Sequence, residues 1–192
     1  MGRVTRLVAV VAAGLVVVAG CQRDEQRPQA PAAAPVIQEV SPGTLVAGDR
    51  IAPPRGEVVL TITGEIGAHN QGRKLALDLA SLEKMRTVRM ETSEPFLKRK
   101  VTFEGVLLSD LLAVAGVPPS ASKVDLTALD DYKVDFTVDD VRSSQMLLAT
   151  KADGRRMPVD KAGPIRIVFP DGSSLGRNPD LWIWSVSAMR LS

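Results

Sequence analysis

VTFEGVLLSDLLAVAGV, residues 101–117, passes from strand to helix within one short stretch. Its opening, with Lys100 in front, reads as a strand. From Leu108 the apolar residues Leu108, Leu111, Leu112 and Ala115 recur at i, i+3, i+4 and i+7, which is one face of a helix. Gly116 stands where a left-handed C-terminal cap belongs, and Pro118 prevents the helix from continuing.

Working outward, the chain alternates short strands with a few helices. Residues 57–64 form a strand closed by Gly64, and residues 87–92 another. Between them, Leu75, Leu79 and Leu82 give residues 75–85 helical spacing over their second half. Residues 123–138 read as two strands around Asp130 and Asp131, followed by a short helix near 139–143. Residues 146–159 read as a hairpin turning at Asp153-Gly154, and residues 163–170 as an alternating strand. Residues 182–191 complete the set as a final strand, with Trp182 and Trp184 on one face. Many strands, few helices and no regular strand–helix alternation predict an α+β domain.

The order of these pieces resembles a known family. Residues 101–117, 128–140, 147–157 and 163–170 together look like the molybdopterin-binding domain of the sulfite oxidase superfamily, in particular its small single-domain exported bacterial members. The resemblance spans residues 57–191 and implies a compact, mostly β fold with peripheral helices. It also implies a molybdopterin cofactor, with molybdenum held by a cysteine thiolate on a loop ahead of the helix at residue 108. Counted back from Gly105, that loop falls on METSEPF, residues 90–96, which offers Glu91, Thr92, Ser93 and Glu94 but no cysteine. A thiolate is not replaced by hydroxyl or carboxylate without changing the metal's electronics.

The chain's one cysteine, Cys21, lies elsewhere, at the end of LVVVAGC, residues 15–21. Arg3 and Arg6 precede an uncharged run, and Ala19 and Gly20 lead into the cysteine, the plan of a secretory signal. VAGC resembles the bacterial lipobox, which implies that Cys21 is lipidated and becomes the mature N-terminus. The same resemblance implies, from Gln22 rather than an aspartate in the next position, the outer membrane over the inner, on the periplasmic face. The expected division is a signal over residues 1–20, a Pro/Ala-rich tether over 21–55 and one domain over 56–192. Loss of the signal removes two arginines and no acid, leaving 22 basic against 22 acidic side chains. That balance gives no argument for nucleic acid as a partner. With Cys21 acylated, the domain has no disulfide, zinc–cysteine site or thiolate nucleophile.

The remaining polar residues define the candidate sites. His69, the only histidine, sits with Asn70 in a glycine-flanked loop, and with Glu91, Thr92 and Ser93 forms the candidate pocket. Lys98, Arg99, Arg155, Arg156 and Lys161, with Arg166 nearby in sequence, form the candidate anion-binding group. The resemblance implies that such residues hold a cofactor phosphate. Asp130-Asp131 and Asp139-Asp140 read as a turn and a helix start, so no metal ligands and no catalytic residues are assigned. The expectation is a lipid-anchored binding or accessory module without molybdenum redox chemistry. No cofactor is expected beyond the molybdopterin that the resemblance implies. Partners would be membrane lipid and a small anionic ligand or an envelope protein. The alternatives are a molybdopterin-dependent oxidoreductase with a non-cysteine metal environment, and a structural envelope lipoprotein.

Overall fold

The computed structural model describes residue 2 and residues 37–192. Residues 1–20 except Gly2, and with them Cys21, lie outside the described residues. Two β-sheets share one hydrophobic core. The first runs in the order β1 (Gln38–Ser41), β4 (Thr87–Glu94), β5 (Arg99–Leu107), β8 (Leu147–Ala152), β10 (Arg166–Val168), with β9 (Arg155–Arg156) hairpinned onto β8. All its neighbours are antiparallel. The second runs β3 (Leu75–Asp78), β2 (Val58–Gly64), β11 (Val186–Leu191), β6 (Lys123–Ala128), β7 (Lys133–Thr137). Its one parallel pair joins β2 to β11, strands from opposite ends of the domain.

Among the described residues three short α-helices complete the α+β fold. Helix α1 (Leu79–Leu82) follows β3 directly, and its N-cap Asp78 accepts from the Ser81 backbone N–H at 2.7 Å. Helix α2 (Leu108–Val114) buries Leu108, Leu111 and Leu112, with Ala115 also at 0 % exposure, as the sequence spacing predicts. Its end is the predicted one: Gly116 takes φ +67°. Helix α3 (Val138–Ser143) begins with a capping box between Thr137 and Asp140. That pairing accounts for one of the two acidic doublets.

Period-2 alternation positions the later site. Along β4 the inward residues are Val88, Met90, Thr92 and Glu94, each at most 1 % exposed, while Arg89, Glu91 and Ser93 face out. A carboxylate is thus carried into the core by the same pleat that buries a valine and a methionine.

The C-terminal part of the Pro/Ala-rich segment packs on the domain: Gln38–Ser41 pairs with β4, and Ile51 is buried. An otherwise open strand edge explains this, because β4 would have unpaired N–H and C=O groups without β1. Two expectations need correction. Residues 90–96 are not a loop, since β4 continues to Glu94 and only the turn beyond it is irregular. Trp182 and Trp184 do not share a strand. Ser185 at φ +47° separates them from β11, leaving Trp182 buried and Trp184 39 % exposed.

Candidate functional site

A buried ion pair lies where β4 ends. Glu94 Oε1 accepts from Arg166 Nη2 at 2.8 Å, with side-chain exposures of 0 % and 5 %. The other carboxylate oxygen accepts the backbone N–H groups of Phe96 and Leu97, which folds the turn back over the pair. Arg166 enters from β10, a strand otherwise made of Ile167 and Val168. Its guanidinium lies over three aromatic rings: Trp184 at 5.0 Å, Phe103 at 5.4 Å and Trp182 at 6.0 Å. Burial lowers its pKa, against the opposing pull of Glu94. An arginine remains protonated under such a shift. Arg166 Nε meets no acceptor among the described residues, although it is buried.

Two cavities meet at Arg166. One, of about 620 Å³, is lined by Arg99, Arg155, Arg156 and Lys161 above a floor that includes Val101 and Phe103. The other, of about 680 Å³, is walled by Phe96, Leu129, Val159 and Trp184, with Asp130 and Asp160 at its edge. Leu97, Lys161 and Arg166 line both. Four of the five expected anion-binding residues are therefore brought together around one cavity. Lys98 does not line it; at φ +53° it serves the turn, its N–H donating to the Glu94 carbonyl at 2.9 Å. Arg99 and Arg156 are paired with Asp153 and Glu83, whereas Arg155 and Lys161 have no acidic partner among the described residues.

The other expected site residues are not gathered into one pocket. Asn70 fastens its loop to β3: its amide donates to the Ala76 carbonyl at 2.8 Å and its oxygen accepts from the Ala76 N–H at 2.8 Å. His69 lines a separate cavity with Arg73 and Lys74, sharing no residue with the Arg166 cavities. Thr92 Oγ1 donates to the Phe169 carbonyl at 2.8 Å and to Asp171, which also accepts the Ser93 N–H. Glu91 and Asp171 share Lys100 at 3.2 and 3.3 Å. Burial acts to raise the Asp171 pKa, but the Ser93 N–H and Lys100 outweigh it and hold the carboxyl below its ordinary value. These groups fasten the segment after β10 to the edge of β4. Among the described residues no cluster of three His, Cys, Asp or Glu side chains could hold a metal ion.

The Glu94–Arg166 pair is what sequence reasoning missed. Two signals carried it: an acid in register with Val88, Met90 and Thr92, and an arginine inside an apolar alternating strand. Both are charges at inward positions, and buried charges persist only when paired.

Two sheets around one core, with a cavity lined by basic side chains beside the end of β4, define a mostly-β α+β domain. Residues 64–178 match the family described as the oxidoreductase molybdopterin binding domain, and the chain belongs to that family. The fold is similar to the crystal structure of the sulfane dehydrogenase SoxCD from Paracoccus pantotrophus, with a TM-score of 0.54 and 18 % identity over 69 % of this chain. The likeness covers 37 % of the SoxCD chain. No curated protein matches the chain.

Proposed function

We propose that the protein is a lipid-anchored envelope module that binds a small anion at the Arg166 cavities and carries out no molybdenum redox chemistry. One observation carries this reading. Arg99, Arg155, Arg156 and Lys161 line one cavity beside the buried Arg166, and Arg155 and Lys161 have no acidic partner among the described residues. Guanidinium groups at such a site recognise phosphate, sulfate or carboxylate by charge-assisted hydrogen bonds.

The family implies a molybdopterin, so the donor set bears on the reading. The side chain at the end of β4 is Glu94, and its oxygens are engaged by Arg166 and two backbone N–H groups. Residues 37–192 contain no cysteine. This donor chemistry does not fit molybdenum held by a protein thiolate, and no reaction step is derived through the metal. The charged lip fits a phosphate whatever that phosphate is attached to.

The anchor rests on residues 1–21, where the signal-like run ends at Cys21. Acyl chains contribute ~0.8 kcal/mol per buried methylene, so two or three chains hold a protein at a membrane without a spanning helix. Gln22 and the outer-membrane preference belong to the same reading.

The test is to purify the whole chain from cells with an active molybdenum cofactor pathway and measure both metal and anion binding. The expected result is molybdenum far below one atom per chain and saturable binding of inorganic phosphate. Molybdenum near one per chain would favour an oxidoreductase with a non-cysteine metal environment. Absence of any anion binding would leave a purely structural lipoprotein.

A further inference from the structure

Exposed apolar side chains are unevenly distributed over this domain. Among the described residues nine large hydrophobic side chains are exposed, and five of them, Phe96, Leu97, Leu129, Val159 and Trp184, surround one of the two cavities beside Arg166. Scattered apolar residues at a surface are ordinary, but their concentration around one hole marks a place that something apolar covers. Phe96 meets Trp184 edge-on, with centroids 4.9 Å apart and planes at 77°. The two rings form a corner in which a planar ring would stack on one and present its edge to the other.

Charge is divided between the two cavities, and the division sets an orientation. The basic cavity carries Arg99, Arg155, Arg156 and Lys161; Asp153 pairs with Arg99 and Glu83 with Arg156, which leaves Arg155 and Lys161 without an acidic partner among the described residues. The aromatic cavity carries Lys161 against Asp130 and Asp160, beyond the Glu94–Arg166 pair that neutralises itself. An acid group is thus drawn to the basic side and repelled from the aromatic one. Arg166, Leu97 and Lys161 border both spaces, so one ligand passing over Arg166 reaches each.

We propose that the site takes an aromatic organic anion, its acid group at Arg155 and Lys161 and its ring system in the corner of Phe96 and Trp184. This rests on the anion-binding reading and adds to it the chemical class of the ligand. It needs no metal. Recognition comes from two sources, a charge-assisted contact at one end and desolvation of an exposed aromatic corner at the other.

Calorimetry on the whole chain in nanodiscs of zwitterionic lipid, with empty discs as the blank, distinguishes the outcomes. The probes are 2-naphthyl phosphate, inorganic phosphate and neutral 2-naphthol. The expected result is that 2-naphthyl phosphate binds about tenfold or more tightly than either of the others. Phe96→Ser and Leu129→Ser change side chains that are 49 % and 56 % exposed, so folding is not at issue. Each should weaken 2-naphthyl phosphate about fivefold or more while leaving inorganic phosphate within about twofold. The double variant Arg155→Glu, Lys161→Glu should weaken both anions. If 2-naphthyl phosphate binds no better than inorganic phosphate, the aromatic half is wrong and simple anion binding stands. If neither anion binds, the anion-binding reading fails and this one falls with it. Binding of 2-naphthol equal to that of its phosphate, or indifference of 2-naphthyl phosphate to both serine variants, overturns the proposal directly.

Discussion

Arg166 and Glu94 are each tolerable inside this protein only because of the other. Removing one charge of a buried pair leaves its partner uncompensated, which costs ~3–5 kcal/mol. Glu94→Ala should therefore lower stability by about that amount, read from urea denaturation, and should also release the turn at Phe96 and Leu97. Asp78 allows a second test at the same scale. Its carboxylate accepts from the Ser81 hydroxyl, the foremost cause, and from the backbone N–H groups of Gly56, Ser81 and Arg55, bringing its pKa from 3.8 down to about 2. A depressed acid stabilises the fold above its unfolded value, and that contribution disappears as pH falls from about 4 toward 2. The effect should be ~2 kcal/mol, since each pKa unit is worth ~1.4 kcal/mol. Asp78→Asn should be less stable than wild type at pH 7 and should flatten the acid limb between pH 4 and 2. Equal acid sensitivity in both proteins would mean that other carboxylates govern it.

At the scale of elements, the helix from Leu108 was readable because its periodicity is strong and its stop signals are local. Leu111→Ala should open a cavity beneath α2 and cost ~2–5 kcal/mol, visible as a large fall in melting temperature. Gly105 is a different case. A Cβ there would collide with the Leu148 carbonyl oxygen and the Ala149 Cα, both backbone atoms, at the irregularity between β5 and β8. Gly105→Ala should therefore disturb strand pairing rather than side-chain packing, with amide hydrogen exchange speeding up along β5 and β8. The sequence offered a glycine at that point but not the strand passing across it. Residues 75–85 have helical spacing only over their second half; α1 begins at Leu79, while Leu75–Asp78 ahead of it pairs with β2, all four residues buried. The two tryptophans departed from expectation for a local reason, the left-handed Ser185 that sets them apart from β11, which begins after it.

For the whole molecule, binding at the exposed rim should depend on salt. Arg155 and Lys161 are exposed, and exposed charges are screened beyond ~8 Å at physiological ionic strength. Anion affinity should fall steadily between low and high salt, and an affinity indifferent to salt would remove the rim from the recognition. The proposed anchoring is a separate matter. Cys21→Ser should abolish lipid labelling and release the chain from the membrane fraction, and unchanged anchoring with continued labelling would exclude Cys21 as the attachment point.

The α+β class, the strand–helix order and the family were all determined by the sequence itself, because alternation, helical spacing and turn residues are local and survive in one dimension. The cluster of basic residues was visible too, as types without positions. Which of them face one cavity was decided only by the tertiary structure. The hairpin of β8 and β9 and the turn after β4 converge from segments more than fifty residues apart, and only chain folding sets that distance. The pairing of Glu94 with Arg166 across 72 residues belongs to the same category. Each charge alone looks costly in its strand, and the reason both are tolerated appears only when the two strands share a core.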